Sequence, residues 1–509
     1  MTSSRPWLAV ALGALALATA CRPDPGSSSA APSVADPNGR IELLLYEPTG
    51  RAAPTDTCDV ALCTSLVALI DGAERTIDFA IYGMRNQTRV FQALQQAKAR
   101  GVEVRGVVDR DRHGKNYYAS TDALVDMVGS VQSDQRVDEI LAKQKARDGE
   151  GGEPRCDRPA GTQGPVQCLA YDLGDSCLLA AHASREPLGG GDAIMHDKFF
   201  VIDGKSVWTG STNVSDSCSG GYNANLVVVA HSGRIAGWYT QEFEQMYREG
   251  KFHTRKQQHG PHRATLANGE VELRFSPQDD PIRDGVRPLL KHARKQIDIA
   301  VFFLTHKRIV EDLIAAHSRG VKIRVIIDST GARNEYSKHE LLRAAGVPVK
   351  VENWGGKMHM KSAAIDGQVV IAGSMNWTSS GEYNNDENTL LLRSPELAAQ
   401  YHAFFERTWT ALPDTLLAAN PDPESQGSTT ACSDGVDNDY DRAIDMEDPG
   451  CSASPPPLPP MLPWRVVPKV GGRLTCDIDM PGQATRRSKD EAATEVVVPG
   501  VDPEQVAAD

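Results

Sequence analysis

A short motif that occurs twice constrains this chain more than any other feature of its sequence. Each copy has a histidine, a lysine two residues later, an aspartate five residues after the lysine, and then the tetrapeptide G-S-x-N. The copies are His196, Lys198, Asp203, Ser211 and Asn213, and His359, Lys361, Asp366, Ser374 and Asn376. The apolar run between lysine and aspartate predicts a strand that turns at Asp-Gly into a second strand. Histidine and lysine then point to the same face, and two such faces would place two imidazoles and two ammonium groups around one small volume.

This combination of side chains suits phosphoryl transfer. Lysine and asparagine donate hydrogen bonds to phosphate oxygens, and histidine acts as nucleophile, acid or base near neutral pH. The sequence therefore predicts a composite site for a phosphate ester, built from both copies.

The duplicated H-x-K-x4-D and G-S-x-N pattern resembles the phospholipase D superfamily, over most of residues 41–413. The resemblance implies an α/β fold of two tandem α/β/α sandwich repeats with mixed, largely parallel sheets and an active site at their interface. It also implies His196 as nucleophile and His359 as acid, with no cofactor for catalysis. The catalytic set so implied is His196, Lys198, Asp203, His359, Lys361, Asp366 and Glu387, and the phosphate-binding set is Lys198, Asn213, Lys361, Asn376, Ser211 and Ser374. Within these sets, the two aspartates are expected to tie the motif turn together rather than to touch substrate.

The two repeats differ in the residue that would orient the histidine. By the resemblance, Glu387 matches the carboxylate that orients the histidine of its own repeat. Counting from the G-S-x-N motif, the first repeat has Ala224 at that place. We therefore expect His196 to be oriented by an amide, by Asp216 or by the insertion described below.

The duplication extends beyond the motif, since R-G-V-E-V-R-G-V-V-D in the first half corresponds to R-G-V-K-I-R-V-I-I-D in the second. Alternating strand and helix patterns predict a first repeat over 41–255 and a second over 265–413. Predicted strands are 41–46, 76–82, 102–109, 271–275, 296–303 and 321–328, and predicted helices are 60–73, 90–99, 281–293, 307–317 and 395–412. The first repeat carries an insertion at 110–190 with helices at 122–128 and 134–147. This insertion is either a lid or substrate-selecting wall, or a disulfide-stapled decoration.

The amino-terminal residues have the pattern of an export signal. Residues 1–21 resemble a lipoprotein-type signal peptide in which Cys21 would be lipidated, and ordinary secretory cleavage is the alternative. Residues 22–40 are rich in Pro, Ser and Ala and predict a flexible linker. We expect an exported bacterial protein that is either lipid-anchored, facing the periplasm or the cell surface, or secreted.

Cysteine usage agrees with export, because disulfides persist in oxidising compartments. Cys58 and Cys63 are close enough to pair, and Cys432 is expected to pair with Cys451. Two further bonds are expected among Cys156, Cys168, Cys177 and Cys218, which leaves Cys476 unpaired. Zinc binding is disfavoured because no C-x2-C pair occurs.

Residues 414–509 form an acidic tail of different composition. The loop 432–451 resembles an extracellular calcium loop, with ligands predicted at Asp437, Asp439, Asp441 and Asp445, and a solvated acidic linker is the alternative. A proline-rich stretch and a largely disordered end are expected after it.

The substrate follows less directly than the reaction. The formal net charge of −13 and the sequence pI of about 5.5 argue against a nonspecific nuclease, which gains from a basic surface. We therefore expect a phospholipase D that hydrolyses or transphosphatidylates glycerophospholipid head groups. A cardiolipin-synthase-like transferase comes next and a metal-independent nuclease after it, while a binding protein with a dead site is disfavoured because both motifs are intact. The expected partners are the phospholipid and the membrane, through the anchor, with nucleic acid less favoured and no obligate protein partner evident.

Overall fold

Two mixed β-sheets, one from each repeat, form the centre of the computed structural model. The structure describes residues 33–47, 51–147, 193–334, 336–428, 430–439 and 443–451, and four further short strands. The expected signal peptide, the Cys21 anchor, most of the 22–40 linker and Cys156 lie outside the described residues, as do the side chains of the other insertion cysteines and of Cys476.

Within the residues that the structure describes, the first half contains twelve strands and five helices. Its strands are β1 Val34–Asp36, β2 Arg40–Tyr46, β3 Thr76–Ile81, β4 Met84–Arg85, β5 Glu103–Val108, β6 Val131–Ser133, β7 Val166–Cys168, β8 Cys177–Leu179, β9 Lys198–Ile202, β10 Ser206–Gly210, β11 Val214–Ser215 and β12 Asn225–His231. Its helices are α1 Ala61–Asp71, α2 Thr88–Ala99, α3 Thr121–Val128, α4 Gln135–Arg147 and α5 Gly233–Tyr247.

The second half repeats this order and adds short strands at its start and end. Its strands are β13 His262–Leu266, β14 Gly269–Ser276, β15 Gln296–Val301, β16 Lys322–Ile327, β17 Val349–Val351, β18 Lys361–Ile365, β19 Val369–Gly373, β20 Glu387–Arg393, β21 Arg465–Lys469 and β22 Arg473–Asp477. Its helices are α6 Arg287–His292, α7 Lys307–Ser318, α8 Ser329–Arg333, α9 His339–Ala344, α10 Ser379–Tyr383 and α11 Pro395–Ala411, and a π-helix at Pro281–Val286 leads into α6. The predicted strands and helices are confirmed to within two residues, except that 281–293 divides into these two helical pieces.

The strand pairing corrects one expectation, because most of it is antiparallel. The first sheet has the order β2-β12-β10-β9-β3-β5-β6, and the second β1-β13-β14-β20-β19-β18-β15-β16-β17. Three strands at one end of each sheet pair in parallel (β3, β5 and β6; β15, β16 and β17). The four strands that include the motif pair in antiparallel fashion, in the order β9-β10-β12-β2 in the first sheet and β18-β19-β20-β14 in the second. The expectation of largely parallel sheets is therefore wrong, since tight Asp-Gly turns can join only antiparallel strands.

The apolar residues alternate between two layers, as the period of a strand requires. Along β9, Phe199 and Val201 face a core shared by both repeats, whereas Phe200 and Ile202 face α1 and α2 of the first repeat. Helices α5 and α11 contribute Tyr239 and other aromatic residues to the shared core. Each sheet therefore packs helices on both faces, and the shared core holds the two motif strands side by side.

The segment after Pro413 packs on the second repeat as far as it is described. Arg343 donates to the carbonyl oxygens of Leu416 and Ala419, and Arg333 forms ion pairs with Asp422 and Asp439. Disulfides Cys58–Cys63 and Cys432–Cys451 are present as predicted. Cys218 does not form the predicted disulfide; its thiol is free and buried. In the described part of the chain, every helix is too short or too polar to cross a bilayer.

Candidate active site

The two motifs meet through their backbones. The His196 amide donates to the carbonyl oxygen of Asp386 at 2.9 Å, and the His359 amide donates to that of Ala224 at 2.9 Å. The backbone of each motif histidine is thus fixed by the residue that precedes a strand of the opposite repeat, β20 for His196 and β12 for His359.

The four basic motif side chains are enclosed by this arrangement. His196, Lys198, His359 and Lys361 are at most 4% exposed. Lys198 Nζ donates to the His196 carbonyl oxygen at 2.6 Å, and Lys361 Nζ donates to the His359 carbonyl oxygen at 2.8 Å. Each lysine is therefore held beside the histidine of its own motif.

The partner of each histidine comes from the other repeat. Nδ1 of His196 lies 2.8 and 2.9 Å from the two carboxylate oxygens of Glu387, and both side chains are fully buried. Nδ1 of His359 lies 3.1 Å from Oδ1 of Asn225. The expectation that Glu387 orients His359 is therefore wrong: it contacts His196. Asp216, one of the three candidates considered for orienting His196, binds Arg85 and Asn86 instead.

A one-residue difference in loop length explains a separate error, the choice of Ala224 as the counterpart of Glu387. Gly373 pairs with Thr389, whereas Gly210 pairs with Val227, so the first repeat has one more residue between the two strands. A fixed count from G-S-x-N consequently selects Ala224, although the structural counterpart of Glu387 is Asn225.

Burial shifts the ionisation of the enclosed groups. It raises the pKa of Glu387 to about 8, against the opposing charge of Lys198. Burial also lowers the pKa of Lys198 to about 8. The pKa of Lys361 falls further below its ordinary value, because the charge of Lys198 adds to the effect of burial. The two ammonium groups therefore repel each other in a dry site, which favours an anion between them.

The G-S-x-N segments support the histidine partners and leave two amide oxygens without partners. Ser211 Oγ donates to Asn225 Oδ1 at 2.8 Å, while Ser374 Oγ accepts from the Asn388 amide at 3.0 Å. Asn213 Oδ1 and Asn376 Oδ1 are buried and have no hydrogen-bond partner among the described residues. These segments accordingly line the space around the histidines at equivalent places.

The motif aspartates lie at the other end of the motif strands. Asp203 accepts hydrogen bonds from the amides of residues 74–76, and Asp366 accepts from those of residues 294–296. Both have positive φ, 54° and 55°, and each is followed by a glycine of positive φ, as a tight hairpin turn requires. Of the two roles considered, these contacts match turn-tying and place both aspartates apart from the histidines.

Besides Asn225, three residues near the histidines are absent from the predicted set. Tyr82 and Phe302 occupy equivalent places after β3 and β15, and their rings lie 5.5 and 5.1 Å from those of His196 and His359. Cys218 Sγ lies 3.8 Å from Nδ1 of His359. The alignment of β3 with β15 could have identified the aromatic pair, whereas no signal in the sequence pointed to Cys218.

The acidic loop 432–451 contacts residues that lie close to the second motif. Tyr222 donates to Asp434, and Lys357 Nζ donates to the Asn438 carbonyl oxygen at 2.6 Å. Of the predicted calcium ligands, Asp437 and Asp439 have carboxylate oxygens within 4.8 Å of each other and of one from Glu424. Asp445 accepts from the amides of residues 434 and 435 and is not part of this group, and Asp441 lies outside the described residues. Calcium binding stays a prediction.

A family model described as "Cardiolipin synthase, PLD-like domain" matches residues 66–247 and 286–409, which include both motifs. The chain belongs to the phospholipase D superfamily. This confirms the resemblance inferred from the duplicated motif.

Named relatives within the superfamily are similar over part of their length. A mitochondrial cardiolipin hydrolase of Chlamydomonas reinhardtii is 34% identical over 120 residues, which are 24% of this chain and 54% of that protein. A phospholipase D of Rickettsia conorii is 32% identical over 109 residues, 21% of this chain and 54% of that protein. The chain thus spans about half the length of these two relatives.

A solved structure of phosphatidylserine synthase from Haemophilus influenzae is similar to this chain. The two share 12% identity with a TM-score of 0.45, over 74% of this chain and 89% of that one.

Proposed function

We propose that this chain is a phospholipase D-type phosphodiesterase that hydrolyses or transphosphatidylates glycerophospholipid head groups and releases phosphatidic acid. The observation that carries the proposal is the convergence of His196 and His359, each held by a side chain of the opposite repeat, with two buried lysines beside them. An anionic phosphodiester would supply a counter-charge to the two lysines, neither of which forms an ion pair among the described residues. The superfamily relatives named as cardiolipin hydrolase and phospholipase D favour a phospholipid as that diester.

In the proposed first step, His196 Nε2 attacks phosphorus. A P–N bond forms, the P–O bond to the head-group alcohol breaks, and His359 Nε2 gives its proton to the leaving oxygen. The imidazole of His196 becomes cationic, and the carboxyl group of Glu387 at its Nδ1 stabilises that charge in its ionised form. This is why Glu387 favours His196 over His359 as the nucleophile.

In the second step, His359 takes a proton from water, or from an acceptor alcohol, whose oxygen attacks phosphorus. The P–N bond breaks and His196 returns to its neutral form. Lys198, Lys361, Asn213 and Asn376 are proposed to hold the non-bridging oxygens through both steps. The proposal assigns no metal ion to these chemical steps.

A cardiolipin-synthase-like phosphatidyltransferase is the second candidate. The description of the matched family model favours it, and so does the site, because water and an alcohol acceptor would use the same base. It differs from the first proposal only in the acceptor.

Three substrates distinguish these functions. The purified full chain is incubated with phosphatidylcholine, phosphatidylglycerol or supercoiled plasmid, each with and without EDTA, and products are measured by mass spectrometry or gel. Choline with phosphatidic acid supports the first proposal, cardiolipin supports the second, and nicked plasmid with neither lipid product overturns both. His359→Ala is the matched control, and activity that survives this change would contradict the composite site.

A further inference from the structure

Each repeat buries a pair of carboxylates directly behind its motif histidine. Asp109 and Asp134 both accept from the Met195 amide, at 3.0 and 3.1 Å. In the second repeat, Asp328 accepts from the Met358 amide at 2.9 Å, and Glu352 accepts from the Ser329 amide at 2.9 Å. Asp134 and Glu352 are equivalent, since each follows the third parallel strand of its sheet.

The second repeat places a cation of its own near its pair. Burial raises the pKa of both Asp328 and Glu352, and the charge of Lys357, two residues before His359, opposes that rise. The first repeat has Ile194 at the position of Lys357. The same carboxylate pair therefore lacks that lysine in the first repeat.

The first repeat adds a third carboxylate and an imidazole at this place. Asp138, on α4, and His253, in the segment after α5, face Asp134 with side chains at most 2% exposed. One ligand atom from each lies within 4.8 Å of the others. The cluster therefore buries three carboxyl groups, Asp109, Asp134 and Asp138, where its counterpart buries two, and burying carboxylate charge without a paired cation is costly.

The distances in this cluster are longer than direct hydrogen bonds. His253 Nε2 lies 3.5 Å from Asp134 and 3.3 Å from Asp138, and it has no hydrogen-bond partner among the described residues. Two ligands of one tetrahedral ion with bonds of about 2.1 Å stand about 3.4 Å apart. The other ring nitrogen, Nδ1, faces Asp386 at 3.0 Å, as the outer carboxylate of a metal-binding histidine does.

The backbone at His253 is held in an uncommon conformation. Its φ is +57°, and its amide donates to Asp386 Oδ1 at 2.7 Å. A non-glycine residue in the left-handed region needs surroundings that hold it there, and such residues concentrate at functional sites.

We propose that Asp134, Asp138 and His253 bind one divalent metal ion of the zinc type, which replaces in the first repeat the cation that Lys357 provides in the second. Two carboxylates and one imidazole form a ligand set that suits Zn²⁺, with a fourth position for water. The ion joins the insertion helix α4 to the segment after α5. Through Asp386 it also braces His196, whose amide donates to the Asp386 carbonyl oxygen. It takes no part in the chemical steps proposed above.

The metal content of the purified full chain tests this proposal directly. Inductively coupled plasma mass spectrometry is expected to find about one equivalent of zinc per chain. Asp138→Asn and His253→Gln should each lower zinc affinity at least tenfold, whereas Asp437→Asn in the acidic loop should not. Zinc below about a tenth of an equivalent that does not rise on addition of Zn²⁺ would overturn the proposal and leave a protonated His253 between the carboxylates.

A second measurement uses the unmutated chain, so it does not depend on whether the variants fold. The chain is stripped with a chelator and titrated with Co²⁺, which gives visible d–d bands when bound at a tetrahedral site with a nitrogen ligand. Appearance of these bands with a rise in Tm supports the site, and a featureless spectrum with unchanged Tm contradicts it. Neither readout uses a lipid, so failure here is distinguishable from failure of the proposed function.

Discussion

The two halves of the molecule share one backbone plan and differ in the charges built onto it. Both motif aspartates accept three backbone amides, and both motif lysines donate to the carbonyl oxygen of their own histidine. The side chains behind the histidines are not equivalent, since Glu387 faces His196 and Asn225 faces His359. The comparison teaches that duplication fixed the positions of the catalytic groups, while substitutions around them made two identical histidines chemically distinct.

The largest effect is expected from removing each histidine. His359→Ala should lower kcat roughly 10²- to 10⁴-fold, because it removes the acid, and phosphohistidine should accumulate on His196. His196→Ala should leave no phosphohistidine at all. Peptide mapping after a brief reaction with substrate measures both, and His292→Ala, at an exposed histidine, is the control. A phosphohistidine on His359 would reverse the assignment.

Exchanging the histidine partners tests the asymmetry itself. Glu387→Gln should lower kcat roughly 10- to 100-fold, since the cation formed on His196 loses its counter-charge. Asn225→Asp places a carboxylate beside His359, which should raise the pKa of that imidazole and move the alkaline limb of the pH–rate profile upward by about one unit. Equal effects of both changes on kcat and on the pH profile would show that the histidines are equivalent after all.

The buried carboxyl of Glu387 should also leave a signature in stability. The pKa of Glu387 in the folded chain is about 8, which is above its ordinary value. The carboxyl group therefore stabilises the folded state fully below about pH 4.3, and this stabilisation is lost as pH rises through 8. The Tm of the unmodified chain should therefore fall more between pH 5 and 8 than that of Glu387→Gln. Parallel Tm curves for the two proteins would contradict the raised pKa.

The motif aspartates should behave alike, because their contacts are the same in both repeats. Asp203→Asn and Asp366→Asn should each lower the free energy of unfolding by about 1–3 kcal/mol, since the backbone amides lose an ionised acceptor. Activity measured well below Tm should stay within a few-fold of the unmodified chain. A loss of kcat comparable to that of the histidine variants would restore the catalytic role implied by the family resemblance.

The smallest effect is expected at Cys218. Cys218→Ser should change kcat by a factor of about 2–10, the size of one weak hydrogen bond near His359. Cys218→Ala is the matched comparison, and steady-state kinetics on the two variants measures the effect. A loss approaching that of His359→Ala would assign the thiol a direct part in the reaction.

The sequence predicted the scaffold well because the information for it is local. Apolar alternation and an Asp-Gly turn define β9 with β10 and β18 with β19, and the repeated R-G-V pattern marks the ends of α2 and α7. The predicted composite interface followed from two half-sites that cannot bind one phosphate alone.

The partners of the histidines could not be predicted in the same way, because they depend on which strands face each other across the interface. The resemblance placed Glu387 beside the histidine of its own repeat, whereas it contacts His196 across the interface. A count along the first repeat selected Ala224 and overlooked Asn225, since it could not detect the extra loop residue. The free thiol of Cys218 was missed for a related reason: cysteine spacing predicts pairing only when the fold brings the sulfurs together.

The reciprocal hydrogen bonds from His196 to Asp386 and from His359 to Ala224 have a consequence for how this chain could be divided. Neither repeat contains the backbone acceptor or the side-chain partner of its own histidine, so a separated half would carry a motif without its supports. Two inactive halves mixed together would have to recover both partnerships at once. Each repeat therefore supplies the groups that hold the histidine of the other repeat. A substitution in one half consequently alters the surroundings of the histidine in the other half.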